Sequence, residues 1–157
     1  MGAASQIYLV RHAKAGDRYA WKGDDAERPL SKAGERQARA IATRLAKKGA
    51  TVLYSSPYAR CVGTLEPLAE QLGTDVHVEH RLSEGSPFEE VLELIADIED
   101  RGVLCTHGDV IADVIAALHR RGMEIDTPLE WRKASVWVLR RKADRVTRGK
   151  VWPPPAG

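Results

Sequence analysis

An arginine and a histidine stand side by side at the end of the apolar run Ile7-Tyr8-Leu9-Val10. A run so rich in β-branched and aromatic residues reads as a buried strand. It can carry Arg11 and His12 at its end only if both side chains find polar partners or a ligand. Two further junctions have the same character. The run ending at Tyr54 leads through Ser55-Ser56-Pro57 to Arg60, and the run Gly102-Val103-Leu104-Cys105 ends in Thr106-His107-Gly108. Guanidinium groups grip phosphate through paired, charge-assisted hydrogen bonds. A helix N-terminus adds free N–H groups and the positive end of a dipole. Brought to one sheet edge, Arg11, His12, Arg60, His107 and Gly108 would line a phosphate pocket that needs no metal. Binding alone does not require two histidines. An imidazole nitrogen can also attack phosphorus and carry the phosphoryl group as a covalent intermediate, while flanking arginines neutralise the charge on its oxygens. The leaving oxygen needs a proton, and Glu84, in the loop Arg81-Leu82-Ser83-Glu84-Gly85, is the candidate donor.

Elements that could position these residues follow from the patterning. Residues 1–5 are expected to fray, a first strand to span 6–11, and 13–28 to form a surface loop without period. Ser31 is a plausible N-cap for a helix that buries Ala38, Ile41, Ala42 and Leu45 and ends at Gly49. A strand is predicted over 51–54. Ser56 then reads as an N-cap with Pro57 in the first turn of a helix that buries Val62, Leu65, Ala69 and Leu72, stops at Gly73, and kinks or breaks early at Pro67. A short strand over 75–79 precedes the capping box Ser86-Pro87-Phe88-Glu89, with Phe88, Val91, Leu92, Ile95 and Ile98 buried behind it. A strand over 102–106, a helix over 109–121 and a hairpin of 135–141 with 145–152 complete the chain. Pro153-Pro154-Pro155 makes a stiff tail. Strands alternating with helices imply βαβ units and a single α/β domain over 1–157, a three-layer α/β/α sandwich around a mostly parallel sheet, with 1–5 and 153–157 as flexible ends.

Taken together, the motifs resemble those of the histidine phosphatase superfamily, the phosphoglycerate-mutase-like fold. Leu9-Val10-Arg11-His12-Ala13 is similar to its Arg-His signature. Tyr54-Ser55-Ser56-Pro57-Tyr58-Ala59-Arg60-Cys61-Val62-Gly63-Thr64 is similar to its Ser-Ser-Pro segment, Arg81-Leu82-Ser83-Glu84 to its proton-donor loop, and Thr106-His107-Gly108 to its second-histidine motif. The resemblance implies that His12 is the nucleophile, that Arg11, Arg60 and His107 hold the phosphoryl group, and that Glu84 donates the proton. Within the family, Arg11-His12-Ala13-Lys14-Ala15 and Arg28-Pro29-Leu30-Ser31-Lys32-Ala33-Gly34 resemble the short branch of SixA-like phosphohistidine phosphatases. Gly108 separates His107 from Asp109, so the resemblance sets Asp109 aside as the acid. A phosphorylated protein is the favoured partner. A small phosphate ester, a nucleotide, or a non-catalytic phosphate-binding docking module are the alternatives.

Composition sets the bounds. With 157 residues, 43% of them hydrophobic, and a net charge of +2, the chain can bury one core and presents no broad basic surface for nucleic acid. The cluster Arg140-Arg141-Lys142 reads as a solvated hairpin face. No apolar run reaches membrane-spanning length and no leader is visible, so a cytoplasmic monomer is expected. Cys61 and Cys105 form no Cys-x-x-Cys pair, and Cys105 reads as a buried thiol. No cofactor is called for. Zinc on His77 and His80 is disfavoured because that spacing points two strand side chains to opposite faces. His119 reads as a helix-end residue. Lys14, Arg18, Lys22 and Arg28 either line the pocket mouth or belong to a merely solvated loop, and Trp21 either touches substrate or anchors that loop.

Overall fold

The computed structural model describes residues 4–156. Its strands are β1 (Ser5–Arg11), β2 (Leu53–Ser55), β3 (Val76–Val78), β4 (Gly102–Thr106), β5 (Glu124–Ile125), β6 (Val136–Lys142) and β7 (Arg145–Trp152). Its helices are α1 (Lys32–Lys47), α2 (Ala59–Leu72), α3 (Phe88–Asp97) and α4 (Gly108–Arg120). The strands form one seven-stranded sheet in the order β3-β2-β4-β1-β6-β7-β5. β3, β2, β4 and β1 run parallel, β6 turns back against β1, and β7 pairs antiparallel with β6.

β1 reads as a continuous apolar run because both of its faces are covered. Ile7 and Leu9 pack with Val110, Ile111, Val114 and Ile115 of α4 and with Val91 and Ile95 of α3. Tyr8 and Val10 pack on the other side with Ile41 and Leu45 of α1 and Leu65 and Leu68 of α2. Alternation of side chains along a strand, with helices on each face, produces this pattern. The sheet therefore delivers the carboxyl ends of β1, β2 and β4 to one edge, where ligands of open α/β sheets sit.

Several local expectations shift, each for a physical reason. Ser5 pairs with Arg141, so β1 begins there instead of fraying, and the fraying expected for residues 1–3 lies outside the described residues. Pro155 accepts a hydrogen bond from Gln37 at 3.2 Å. α1 starts where expected, its N-cap Ser31 accepting from the Gly34 N–H. α2 starts later, at Ala59, with Tyr58 at its cap position and no side-chain bond there, while the Ser56 hydroxyl oxygen accepts the Tyr58 N–H and also meets His107. α2 also runs unbroken through Pro67 to a left-handed Gly73, since the fully buried Leu65 and Leu68 clamp the turns on either side. The capping box at 86–89 does not form. Pro87 holds an extended ψ of 136° and occupies the cap position itself, and Ser86 turns to the His80 carbonyl. Leu94, with Val91 and Ile95, faces the core there, while Leu92 and Phe88 are only partly buried.

The hairpin is not a purely solvated face. Arg141 is 8% exposed, and its Nη1 donates to the carbonyls of Ile95, Ala96 and Ile98, satisfying the C-terminal end of α3. Replacing Arg141 with methionine keeps the aliphatic stem but strands those carbonyls. It should cost about 2–3 kcal/mol of stability, read as a lower midpoint in urea denaturation with an unchanged slope.

Candidate active site

Three junctions converge as the sheet requires. Arg11 pairs with Thr106 across β1 and β4, and the His12 N–H donates to the Thr106 carbonyl at 3.2 Å. This places His12 beside His107, with ring centroids 5.5 Å apart and an edge-on tilt of 65°. The Ser56 N–H donates to the Cys105 carbonyl, which brings the β2–α2 junction to the same edge. A recess of about 400 Å³ opens between them. Arg11, His12, Arg60, Glu84, His107 and Gly108 all line it, so the structure brings together every site residue expected from the sequence.

His12 is 5% exposed. Its Nδ1 lies 2.8 Å from the Ala13 carbonyl, which can only accept, so Nδ1 carries the proton and Nε2 keeps its lone pair. Burial, opposed by that bond and reinforced by the neighbouring His107 ring and the charges of Arg60 and Arg11, pushes the imidazole down to about 3. The ring is thus neutral with a free nitrogen, the state required of a nucleophile.

Arg60 is 1% exposed and is held from the loop that looked featureless in sequence. Its Nη1 donates to the Asp25 carbonyl at 2.9 Å, and its Nη2 lies 3.2 Å from the Asp25 carboxylate and 3.6 Å from Glu84. Asp25 also pairs with Arg28 at 3.0 Å, and the Arg28 bond, with the charge of Arg60, holds its carboxyl below the usual range. Arg11 donates from Nη1 to the Trp131 carbonyl and packs against Gly108. A Cβ at Gly108 would come within 2.8 Å of its guanidinium carbon. A side chain there would push the Arg11 guanidinium aside, so glycine leaves that group free to line the recess. Two buried polar atoms in this cluster have no partner, Arg11 Nε and His107 Nδ1.

His107 is set from behind. Its Nε2 lies 2.8 Å from Ser56 Oγ and 3.6 Å from Cys61 Sγ, and Tyr58 packs edge-on against its ring at 4.7 Å. Ser56 Oγ already accepts the Tyr58 N–H, so its own hydrogen is free to go to Nε2. With the Ser56 hydroxyl donating to Nε2, the ring proton sits on Nδ1, the unpartnered atom.

Ser56, Cys61, Asp25, Trp131 and Lys133 were not singled out for the site from sequence. Asp25 within Asp24-Asp25-Ala26-Glu27-Arg28 was the one available signal, as an acidic group next to an arginine-rich pocket. Asp109, set aside as an acid, nevertheless lines the recess and accepts from the Gly85 N–H at 2.9 Å. Of the loop cations, Arg18 and Arg28 line the recess, while Lys14 and Lys22 do not. Trp21 donates from Nε1 to the Asp24 carbonyl and anchors the loop.

A sequence model of the histidine phosphatase superfamily (branch 1) matches residues 7–89. The chain belongs to that superfamily. An 8-oxo-(d)GTP phosphatase of Mycolicibacterium smegmatis is 37% identical over 139 residues, covering 85% of this chain and 43% of that protein. The chain thus spans under half the length of the curated relative it matches. The protein histidine phosphatase SixA, solved with tungstate, shares the fold with a TM-score of 0.73 at 19% identity over 96% of both chains. A mycobacterial glucosyl-3-phosphoglycerate phosphatase does so with a TM-score of 0.68 at 20% identity, over 99% of this chain and all of the other. These structures bear out the phosphoglycerate-mutase-like α/β sandwich expected from the motifs.

Two measurements check this geometry. The His12 imidazole should titrate by NMR far below 6.5. The unfolded chain then binds a proton that the folded chain does not over the window from 6.5 down to about 3, so stability should fall as pH drops through it. A His12 midpoint near 6.5 would contradict the buried neutral ring. In Ser56→Ala, the nitrogen-15 shifts of His107 should report proton transfer from Nδ1 towards Nε2. Identical shifts in the variant and the parent would show that Ser56 does not set the tautomer.

Proposed function

We propose that this protein is a metal-independent phosphatase that works through a phosphohistidine on His12. The observation that carries the reading is the pair of buried, unpartnered groups Arg11 Nε and His107 Nδ1 beside a neutral His12 in one recess. Buried polar groups are rarely left unsatisfied. Here the missing partner is an anion that both can grip, positioned for attack by the free Nε2.

The chemistry runs in two displacements. His12 Nε2 attacks phosphorus, the bond to the leaving oxygen breaks, and Arg11, Arg60 and His107 stabilise the charge spread over the remaining oxygens. Glu84 supplies the proton to the leaving oxygen and then takes one from the water that attacks the phosphohistidine. That second attack breaks the N–P bond, releases inorganic phosphate and restores the neutral imidazole. Neither step asks for a metal or cofactor.

For the substrate, identity of 37% to an 8-oxo-(d)GTP phosphatase supports a small phosphorylated molecule of the nucleotide class. The fold shared with SixA supports a second reading, a protein-borne phosphohistidine. Two buried free thiols fit a reducing compartment, and among the described residues no helix is long and apolar enough to cross a membrane.

His12→Ala should abolish turnover of p-nitrophenyl phosphate, about 10⁴-fold or more, while EDTA leaves the parent enzyme unchanged. Activity that survives the substitution or dies with EDTA overturns the mechanism. Comparing kcat/KM for nucleotides and for a phosphohistidine protein decides between the substrate readings. Glu84→Gln should slow an alkyl phosphate, whose leaving group needs the proton, by about 10²-fold or more, with little effect on p-nitrophenyl phosphate. If Asp109→Asn does this instead, the acid is Asp109.

A further inference from the structure

The recess holds more positive charge than one phosphoryl group uses. Arg11, Arg18, Arg28, Arg60 and Lys133 all line it, against the carboxylates of Glu84 and Asp109. Arg28 and Arg60 are tied to Asp25, and Arg60 also to Glu84. Arg11 and Arg60 belong to the phosphoryl site already described. That leaves Arg18 and Lys133, both exposed at the rim. Among the described residues, neither forms an ion pair within 4.0 Å.

Lys133 is held there by the fold. The segment before β6 is stitched to the end of β1: the Ala134 N–H donates to the carbonyls of both Arg11 and His12, and the Arg11 N–H donates to the Ser135 carbonyl. To make this turn, Ala134, fully buried, adopts a φ of +69°, a conformation that a residue with a Cβ rarely tolerates. Strain of this kind persists where the surrounding structure over-determines it, and it clusters at ligand sites. Its result is that Lys133 is set beside Arg11 and His12. The neighbouring Arg132 is occupied by Glu130, and Lys133 is not. Burial, then the like charges of Arg11, Arg28, Arg18 and Arg60, lower the Lys133 amine, so a bound anion would relieve a repulsion that is already present.

We propose that Lys133 and Arg18 form a second anion subsite at the mouth of the recess, and that the substrate carries a second phosphate joined by an anhydride bridge to the phosphoryl group that is transferred. This rests on the reading of His12 as the phosphoryl acceptor. His12 Nε2 bonds to the terminal phosphorus, and the bridging P–O bond breaks. Its electron pair leaves on the inner phosphate, whose growing charge is held by Lys133 and Arg18. Water then attacks the phosphohistidine, so the products are inorganic phosphate and the substrate shortened by one phosphate. A phosphate monoester is a weakly basic leaving group, so such a reaction asks less of a proton donor than an alkyl phosphate does. A carboxylate at the second position would be held by charge alone and would not have this leaving role.

The test compares a nucleoside diphosphate with p-nitrophenyl phosphate and with a phosphorylated hydroxy acid. The parent should favour the diphosphate in kcat/KM. Lys133→Ala and Arg18→Ala should each lower its kcat/KM about tenfold, the effect of losing one charged contact, with a far smaller change for p-nitrophenyl phosphate. Equal losses on both substrates would place these side chains on the scissile phosphoryl group and overturn the subsite. A preference for the phosphorylated hydroxy acid would overturn the anhydride. Calorimetry of inorganic pyrophosphate against inorganic phosphate reads the subsite without turnover. Pyrophosphate should bind more tightly, and Lys133→Ala should remove that advantage. If turnover is absent while this advantage holds, the subsite stands and only the role of His12 falls. If the two anions bind equally, the subsite falls whether or not the protein turns over.

Discussion

The pairing of β1 with β4 is the constraint on which the site depends. With Arg11 opposite Thr106 and the His12 amide on the Thr106 carbonyl, His12 and His107 must emerge side by side. A slip of one residue would turn Arg11 and His12 to opposite faces and unpack both layers of the core at once. Burial on both faces makes such a slip costly. The hydrophobic packing of Ile7, Tyr8, Leu9 and Val10 therefore also sets the register of the candidate site.

Gathering cations and imidazoles around one recess opposes folding, and the structure shows how that opposition is met. Buried Arg60 is braced by both the carboxylate and the carbonyl of Asp25, and Arg28 shares the same carboxylate. His12 stays neutral. Arg11 is partly satisfied by Trp131, and its guanidinium lies against Gly108, where a Cβ would displace it. What remains unsatisfied, Arg11 Nε and His107 Nδ1, is the part an anionic ligand would complete. Removing one partner of a buried charged cluster is far more damaging than replacing the whole cluster, so the brace at Asp25 ties the stability of the 13–28 loop to the site.

Both histidines are prepared by close neighbours. A carbonyl that only accepts fixes His12, and the Ser56 hydroxyl, when it donates to Nε2, leaves the His107 proton on Nδ1. The two rings thus present opposite functions to one point in the recess, a lone pair from His12 and a proton from His107. Preorganisation of this kind costs nothing at the moment of reaction.

The motif residues and the α/β order were legible because they depend on short-range pattern: apolar runs, helical spacing, and polar residues at strand ends. Ser31, Gly49 and Gly73 behave as local chemistry predicts. Ser86 does not cap its helix, and Ser56 holds only the Tyr58 N–H while also meeting His107, which lies 51 residues away in the chain. Arg141 looked solvated in a run of basic residues, and only the docking of α3 against the hairpin revealed its carbonyl partners. The chain by itself determined which groups could do the chemistry and that parallel strands would carry them to one edge. Only the tertiary structure decided their protonation, their braces at Asp25 and Ser56, and the strained turn that sets Lys133 at the rim. These are products of contacts between segments far apart in sequence, where desolvation and the geometry of the partner, not local propensity, determine the energy.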